Sequence, residues 1–449
     1  MGRLFGTDGA RGVANTELTC ELAMQIGRAA ALVLTRGTKK KAKIVIGKDT
    51  RISSDMLENA LVAGICSVGA DAAILGVVPT PAVAYLIEKY EADAGIMISA
   101  SHNPVEFNGI KLFSNTGYKL PDAVEEEIEA LILDTPEKIP LKSGVDIGRI
   151  FYLENAKHDY VKHIMQTIDG NLEGMKVAID CANGSASATA EMLFKGLDAK
   201  CYIISASPDG TNINDNCGST HIDNLCKCVK ENRCHIGVAF DGDADRCLAV
   251  DEKGILIDGD KMIAIFAKYF KENNKLPNDT AVVTVMSNLG FFEFAENNGI
   301  NVATTKVGDR YVLEEMLEKG YTLGGEQSGH IIMTDFANTG DGQLSAVQLI
   351  SVLKNEGVKA SALSTIMQRF PQAMINIKVE NDKKARLDTD KDIKAVIEEC
   401  EQKLAKNGRV LVRASGTEPL VRVMVEGKDF ELTNECAVKI ADKVKEKLT

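Results

Sequence analysis

The segment DGDADR carries three carboxylates within five residues, at Asp241, Asp243 and Asp245. Closely spaced carboxylates repel one another, and a bound cation removes that cost; hard oxygen ligands at this spacing suit Mg²⁺. An EF-hand would also use these three positions with Glu252 as its twelfth residue, but Arg246 stands where that loop needs glycine. The segment therefore favours a magnesium site over an EF-hand or a solvated acidic turn.

Two small serines, Ser99 and Ser101, lie in the segment ISASHNP, directly after the apolar run GIMI. A serine nucleophile must be exposed on a loop and activated by neighbouring groups. Pro104 has no backbone N–H and would stop a helix from forming there. Taken alone, the segment is more typical of an ordinary polar turn than of a nucleophile loop. His102 alone is more typical of a structural hydrogen-bonding residue than of a base.

A phosphate-binding turn is one interpretation of the segment RASGTEP, which lies between two runs that resemble strands. Arg413 and Arg422 flank the turn, and their fork-shaped guanidinium groups match the oxygens of a phosphate. Ser415, Gly416 and Thr417 add hydroxyl groups and an approachable backbone. The alternative is a plain hairpin turn without a ligand.

Weaker signals come from GGEQSGH, where Glu326 and Ser328 could offer a carboxylate and a hydroxyl to sugar hydroxyls. This segment is not the G-x-G-x-x-G of a dinucleotide site. Arg11 in GTDGARG and Lys111 in NGIKLF are further cations close to motifs. No Walker A sequence is present, so nucleotide-driven phosphoryl transfer is unsupported.

Short β-branched runs alternate with longer helical patterns along the chain, as in layered α/β folds. The predicted strands are KIVIG (43–47), KVAID (176–180), HIGVAF (235–240) and TAVVTVM (280–286). Ligands of such folds bind at the carboxyl ends of strands. The polar segments GKDTR, CANGS and DGDADR follow three of these runs, so we expect a site there.

The bulk composition limits the classes of protein that remain. A length of 449 residues suggests three or four domains, and a formal net charge of -12 argues against nucleic acid or an anionic membrane as the main partner. Eleven cysteines without a C-x-x-C pair indicate free thiols in a reducing cytoplasm. Neither a signal peptide nor a membrane span is expected.

Taken in order, the motifs GTDGxRG, SASHNP, DGDADR, GExSGH and RxSGTEP resemble those of the α-D-phosphohexomutases, over residues 7–422. PDGTNINDNCGST (208–220) and GEQSGH further resemble the branch of that family that acts on glucosamine phosphates. The resemblance implies four domains around a central cleft, three of them α/β with mixed sheets and the last a smaller α+β domain. The implied domains are 1–145 with a phosphoserine loop, 146–252 with a metal-binding loop, 253–368 with a sugar-binding loop and 369–449 with a phosphate-binding turn.

The resemblance also implies roles for individual residues. It assigns a phosphoserine to Ser101 rather than Ser99, and it places Arg11 and Lys111 beside the reacting phosphate. One Mg²⁺ per subunit would be held by the three aspartates and the phosphate on Ser101. Lys111 and His102 are both candidates for the general base. The implied substrate ligands are Arg246, Glu326, Ser328, Arg413, Ser415, Gly416, Thr417 and Arg422.

The implied reaction is the interconversion of glucosamine 6-phosphate and glucosamine 1-phosphate, with a glucosamine 1,6-bisphosphate intermediate. The enzyme would be a cytoplasmic isomerase that supplies UDP-N-acetylglucosamine and peptidoglycan precursors. Its partner is a phosphosugar, with no nucleic acid or membrane, and the family suggests a homodimer. The alternatives are a phosphoglucomutase or phosphomannomutase of the same family, a non-catalytic phosphosugar-binding protein and a metal-dependent phosphatase.

Overall fold

Strands and helices alternate along most of the chain, as the spacing of its apolar runs predicts. The structure is a computed structural model that describes residues 2–6, 8–38, 40–387, 389–415 and 419–449. It divides into two bodies. The first runs to Met286 and includes Ile300–Ile366, and the second comprises Ser287–Gly299 and Met367–Thr449.

The helices of the described residues are amphipathic or buried segments of 5 to 19 residues. In chain order they are α1 (Cys20–Leu34), α2 (Ile52–Ser67), α3 (Thr80–Lys89), α4 (Asp122–Leu133), α5 (Ala156–Met165), α6 (Ala190–Gly196), α7 (Asp223–Asn232), α8 (Gly259–Glu272), α9 (Leu289–Asn297), α10 (Asp309–Lys319), α11 (Gly342–Glu356), α12 (Ala360–Ser364), α13 (Lys391–Leu404) and α14 (Phe430–Leu448). No helix of the described residues is both long enough and apolar enough to cross a membrane.

A mixed sheet of seven strands comes first, in the order β1-β2-β6-β5-β3-β4-β7. Its strands are β1 (Phe5–Gly6), β2 (Gly9–Val13), β3 (Lys43–Lys48), β4 (Asp71–Val77), β5 (Ala94–Ile98), β6 (Phe107–Phe113) and β7 (Ile150–Tyr152). β3 pairs in parallel with β4 and β5, and β4 with β7, whereas β6 pairs antiparallel with β5 and β2. β7 is therefore an edge strand.

Two more sheets complete the first body, and both are mixed. One has the order β12-β11-β10-β8-β9, and the other has the order β14-β13-β15-β16. Their strands are β8 (Lys176–Asp180), β9 (Lys200–Ile204), β10 (Ile236–Phe240), β11 (Cys247–Asp251), β12 (Leu256–Ile257), β13 (Thr280–Thr284), β14 (Asn301–Thr305), β15 (Leu323–Gly325) and β16 (Ile331–Met333). β8 is parallel to β9 and β10, but β10 and β11 form an antiparallel hairpin.

The second body carries a three-stranded antiparallel sheet in the order β17-β19-β18. Its strands are β17 (Gln372–Lys378), β18 (Gly408–Ala414) and β19 (Leu420–Gly427). Helices α13 and α14 share its apolar core, which contains Ile377, Ile393, Val423 and Ile440. Three mixed α/β sheets and a smaller α+β unit confirm the predicted fold class.

The predicted strands are confirmed to within a few residues, because each is a buried β-branched run. KVAID coincides with β8, HIGVAF loses one residue to become β10, and TAVVTVM ends two residues early at Thr284. All eleven cysteines are unpaired in the structure, and eight of them are buried.

Small residues let the two helices on one face of the first sheet approach closely. A Cβ atom on Gly64 of α2 would lie 2.2 Å from the main-chain oxygen of Met24 in α1. One on Gly27 of α1 would lie 2.6 Å from the oxygen of Leu61 in α2. A larger side chain at either position would push the helices apart and open the core beneath them.

The N-terminal segment that leads into GTDGARG is fastened by a buried carboxylate on α4. Glu129 is 2% exposed and accepts hydrogen bonds from the main-chain N–H groups of Arg3, Leu4 and Phe5 at 2.7–2.8 Å. Burial alone would raise the pKa of Glu129, but these donors hold it below the ordinary value.

We expect Glu129→Gln to lower the free energy of unfolding by about 1–3 kcal/mol, because the amide turns a donor toward buried N–H groups. A carboxylate with a lowered folded pKa stabilises the protein above its unfolded pKa, and this stabilisation is lost as pH falls through the folded value. Urea unfolding should therefore show a deficit at pH 7 that shrinks below about pH 4.

The matched control is Glu127→Gln on the same helix, whose side chain is 43% exposed and pairs with Arg36. We expect this control to change stability by less than about 1 kcal/mol. Equal losses in the two variants would contradict the assignment of Glu129.

Candidate active site

Ser101 lies in the loop after β5, and the structure buries it to 1% exposure. Its φ of 53° is in the left-handed region, which costs free energy for a residue with a side chain. This conformation directs Oγ to Asp241, whose Oδ2 accepts a hydrogen bond at 2.6 Å. The His102 Nδ1 lies 3.3 Å from the same Oγ.

The neighbouring Ser99 has different partners. Its Oγ accepts from the Ser101 N–H at 2.9 Å and donates to Asp49 Oδ2 at 2.7 Å. Asp49 also accepts from the Arg51 Nε at 2.9 Å, and the guanidinium of Arg51 donates to the main-chain oxygens of Ser101, Asn103 and Pro104. Ser99 is thus part of a buried polar network beneath the loop.

The three aspartates of DGDADR lie on the tight turn between β10 and β11. Asp241, Asp243 and Asp245 are 1%, 0% and 6% exposed, and one oxygen from each lies within 4.8 Å of the others. Ala244 has a φ of 55°, in the left-handed region, and this tight turn brings the three carboxylates close to one another. Burial, then the like charges of Asp245 and Asp243, raises the pKa of Asp241 to about 8.

The donor set fits a hard divalent cation. Asp243 Oδ1 and Asp245 Oδ1 are buried and have no hydrogen-bond partner among the described residues. Unpaired buried carboxylate oxygens are costly unless a cation or donor reaches them. Oxygen ligands of this kind are what Mg²⁺ and Ca²⁺ take in proteins.

Cations surround the carboxylates. Lys111 on β6 is 2% exposed and donates to Asp243 Oδ2 at 2.5 Å and to Asp245 Oδ2 at 3.4 Å. Burial would lower the pKa of Lys111, but the two carboxylates raise it above its ordinary value. The main-chain N–H of Arg246 donates to Asp241 Oδ1 at 3.2 Å, and its guanidinium Nη1 donates to His102 Nδ1 at 3.3 Å.

Two guanidinium groups act on His102, and the Nε of Arg246 also lies 3.9 Å from Asp245 Oδ1. The Nε atoms of Arg11 on β2 and of Arg246 have no hydrogen-bond partner among the described residues. Burial, with the charges of Arg246 and Arg11, lowers the pKa of His102 to about 4, so its imidazole is neutral at pH 7. The charges of Arg11 and Arg246 therefore act on His102, the residue next to Ser101.

The GGEQSGH segment joins β15 to β16 and packs on the acidic turn. Gly329 has a φ of 91°, and its carbonyl accepts from the Cys247 N–H at 3.0 Å. Glu326 Oε1 accepts from the Gly308 N–H at 3.1 Å, and burial raises the pKa of Glu326. Ser328 is exposed at the tip of the turn.

The second body carries the arginines of the predicted phosphate site. Arg413 on β18 and Arg422 on β19 are directly opposite each other in the antiparallel ladder. Burial and the charge of Arg422 lower the pKa of Arg413. Like charges at opposed positions destabilise a sheet unless an anion lies between them. Ser415 is buried at the start of the turn, whereas Gly416 and Thr417 lie outside the described residues.

Comparisons with known proteins match the chain along its whole length. Residues 2–138, 158–254, 258–370 and 374–443 match the phosphoglucomutase/phosphomannomutase descriptions of alpha/beta/alpha domains I, II and III and of the C-terminal domain. A phosphoglucosamine mutase of Acetivibrio thermocellus is 55% identical over 448 residues, covering 100% of both chains. One of Clostridium perfringens is 56% identical over 447 residues with the same coverage.

The chain belongs to the phosphoglucomutase/phosphomannomutase family. The predicted resemblance to the phosphohexomutases is thereby confirmed, and the chain is an isomerase of the phosphohexomutase type. Its fold matches a Burkholderia thailandensis phosphoglucomutase/phosphomannomutase family protein with a TM-score of 0.82 and 22% identity, covering 99% and 98% of the two chains. It also matches Aspergillus fumigatus N-acetylphosphoglucosamine mutase, solved with GlcNAc-6P and magnesium, with a TM-score of 0.69 and 17% identity, covering 100% and 96%.

Two side chains at the site of this phosphohexomutase were not among the predicted residues. His330 lies with Nδ1 3.7 Å from Asp245 Oδ2 and Nε2 3.3 Å from Asp309 Oδ2. Thr80 donates its hydroxyl to Asp243 Oδ2 at 2.6 Å from the start of α3. His330 stands in a quoted motif, two residues after Ser328, but nothing in the local sequence around Thr80 signals its contact.

We expect divalent cations to stabilise this phosphohexomutase through the aspartate cluster. A ligand at 100 times its dissociation constant adds about 2.7 kcal/mol to the free energy of unfolding. Thermal unfolding with and without Mg²⁺ should therefore show a rise in Tm that EDTA reverses and that Asp243→Asn abolishes.

The control for that measurement is Asp223→Asn, an exposed aspartate in the first turn of α7. It should keep the full response to Mg²⁺. The same cation-dependent shift in Asp243→Asn and in the wild type would show that the cluster is not the binding site.

Proposed function

We propose that the chain interconverts glucosamine 6-phosphate and glucosamine 1-phosphate, with Ser101 as the phosphate carrier. The observation that carries the proposal is the contact of Ser101 Oγ with Asp241 in a buried cluster of three aspartates that Lys111 also contacts. The relatives more than half identical to this chain, which carry the name phosphoglucosamine mutase, support the amino sugar as substrate.

The reaction moves one phosphoryl group at a time. The phosphoryl group on Ser101 Oγ passes to O1 of glucosamine 6-phosphate, so the P–O bond to serine breaks and one to the sugar forms. The bisphosphate then turns over in the site, and its 6-phosphoryl group returns to Ser101. No nucleotide is consumed, which agrees with the absence of a Walker A sequence.

Charge neutralisation is the main requirement of phosphoryl transfer. Lys111, Arg11 and Arg246 would bind and orient the transferring group, and their fixed charges stabilise the negative charge that develops on it. Asp241, Asp243 and Asp245 would hold Mg²⁺, which supplies further charge neutralisation when bound.

The attacking sugar hydroxyl must lose its proton. His102 can accept a proton as it stands, because its lowered pKa of about 4 keeps the imidazole neutral. Lys111 would first have to lose a proton that two carboxylates stabilise. The cations that keep His102 neutral also make it a weak base, so His102 and Lys111 both stay candidates for the general base.

The remaining predicted residues would bind the rest of the substrate. Glu326 and Ser328 would contact sugar hydroxyls, together with Arg246. The non-reacting phosphate would be held by Arg413, Ser415, Gly416, Thr417 and Arg422. The opposed arginines of β18 and β19 support this part of the proposal, since a dianion would remove their mutual repulsion.

The decisive test assays glucosamine 6-phosphate with Mg²⁺ and a catalytic amount of the 1,6-bisphosphate. We expect the wild type to form glucosamine 1-phosphate and Ser101→Ala to lose activity by at least about 1,000-fold, since the phosphate carrier is gone. Glucose 6-phosphate and mannose 6-phosphate in parallel reactions test the alternative substrates.

Phosphate release and the binding of Mg²⁺ serve as controls in this assay. A metal-dependent phosphatase would liberate inorganic phosphate without forming an isomer. Ser101→Ala should keep its thermal response to Mg²⁺, which shows that the variant is folded. Isomerisation by Ser101→Ala at the wild-type rate would refute the proposal.

We also propose a homodimer, formed through the edge strand β7. The segment around this strand exposes Leu141, Val145, Ile150, Phe151 and Tyr152, with Val145 at 96% and Tyr152 at 74% exposure. An edge strand with apolar side chains is a surface on which a second copy can pair antiparallel across a two-fold axis.

Light scattering on the wild type should then give twice the chain mass of 48.4 kDa. We expect a double variant, Phe151→Lys with Tyr152→Lys, to be monomeric, because charged side chains oppose strand pairing. Val438→Lys on the exposed face of α14 is the control. A monomeric wild type, or a dimeric double variant, would contradict this interface.

We also propose a domain division, a cytoplasmic location and a pathway for this chain. We place the domain boundaries at 145/146, 252/253 and 368/369, and the edges of the family matches, at 138, 254 and 370, support them. A reducing cytoplasm suits eleven unpaired cysteines. The product would supply UDP-N-acetylglucosamine and peptidoglycan precursors.

A further inference from the structure

The segment PDGTNINDNCGST, residues 208–220, has no role in the proposed reaction. It connects β9 to α7 and is bonded to the ends of two neighbouring strands. The Asn214 N–H donates to the Ala182 oxygen just beyond β8 at 2.9 Å, and the Ser219 N–H donates to the Phe240 oxygen at the end of β10 at 2.8 Å. The segment thus lies across the carboxyl edge of the second sheet.

From this edge the side chain of Asn214 reaches the serine loop of the first sheet. Its Nδ2 donates to the main-chain oxygens of Ser101 at 2.9 Å and Asn103 at 3.2 Å. Asn214 is 9% exposed and has a φ of 60°. The two amide hydrogens thus bond the carbonyl oxygens of the residues immediately before and after His102.

The same two carbonyl oxygens also accept from Arg51, at 3.1 Å for Ser101 and 2.8 Å for Asn103. Each oxygen has two lone pairs, so each is saturated by one donor from the first sheet and one from the second. Backbone in an unfavourable conformation persists only where its surroundings hold it firmly. Arg51 and Asn214 together supply that restraint for Ser101.

Asn214 also contacts the acidic turn. A Cβ atom on Gly242 would lie 2.5 Å from the Ser101 oxygen and 3.0 Å from Asn214 Nδ2. Gly242 separates Asp241 from Asp243, so the hydrogen bond from Asn214 to Ser101 packs directly on the backbone of the acidic turn. The Asn214 amide therefore lies where the serine loop, which carries Ser101, packs on the acidic turn, which carries Asp241.

We propose that Asn214 is a positioning residue for phosphoryl transfer, whose amide fixes the serine loop from the second sheet and keeps Ser101 Oγ aligned with the aspartates. This inference rests on the proposed function. Asn214 need not contact the substrate. A displacement of about 1 Å at a reacting atom can cost about 100-fold in rate, so loss of one restraint is measurable.

The test variant is Asn214→Gly, because glycine keeps the left-handed backbone and removes the amide. Its control is Asn216→Gly in the same segment, which also has a positive φ, of 51°, but is exposed and donates to its neighbour Asp215. Asn214→Asp serves as a second variant. Aspartate has nearly the shape of asparagine, but its ionised carboxylate cannot donate a hydrogen bond to the two carbonyl oxygens.

Two measurements are made on each protein. Steady-state assays with glucosamine 6-phosphate and Mg²⁺ give kcat and KM. Single-turnover experiments give the rate at which phospho-Ser101 loses its phosphoryl group to the substrate, normalised to the phosphorylated fraction by intact-protein mass spectrometry. All assays are run well below the measured Tm of each variant.

We expect kcat and the normalised transfer rate of Asn214→Gly to fall about 10- to 100-fold, with KM changed less than about threefold. Asn216→Gly should match the wild type. A merely structural role would reduce the amount of folded phosphoenzyme but leave the normalised rate unchanged, and that result would overturn the inference. A rise in KM alone would do the same.

Failure of the proposed function gives a different result. In that case the wild type itself would transfer no phosphoryl group from Ser101 to the sugar phosphate. A wild type that transfers normally, beside an Asn214→Gly variant within twofold of it, would refute the role of Asn214 and leave the mutase assignment intact.

Discussion

Asp241, Asp243 and Asp245 are buried within 4.8 Å of one another, which costs free energy because the carboxylates repel and lose hydration. Lys111 and Arg246 compensate part of that cost, yet burial and the like charges still raise the pKa of Asp241 to about 8. Two further carboxylate oxygens lack hydrogen bonds among the described residues. The aspartate cluster therefore has a local deficit of positive charge, which a bound cation would remove.

Glycines of three other segments pack closely on the acidic turn. Gly184 of CANGS, Gly329 of GGEQSGH and Gly342 at the start of α11 all press on the backbone of residues 241–247. A Cβ atom on these glycines would lie 2.3, 2.2 and 2.3 Å from the main-chain oxygens of Gly242, Cys247 and Arg246. Loops from different sheets can thus surround one turn, and their polar side chains converge because their backbones touch.

Strands could be predicted from the sequence where a run such as KVAID is buried on both faces, since burial then selects β-branched residues. The aspartates could be predicted from their spacing, and the remaining site residues followed from the order of motifs in a known family. Contacts made by Thr80 and Asn214 could not be predicted, because their partners lie 163 and 113 residues away in sequence. Such contacts depend on how sheets pack, which local composition does not encode.

The choice between Ser99 and Ser101 shows what the packing adds. Both serines are small, polar and two residues apart, so their sequence context does not distinguish them. In the folded chain the hydroxyl of Ser99 is engaged by Asp49 and by the Ser101 N–H, whereas the hydroxyl of Ser101 faces Asp241. A group that must gain and lose a phosphoryl group needs the second environment, next to the aspartate cluster. The first environment suits a residue that holds the loop, and the contacts therefore favour Ser101 as the phosphate carrier.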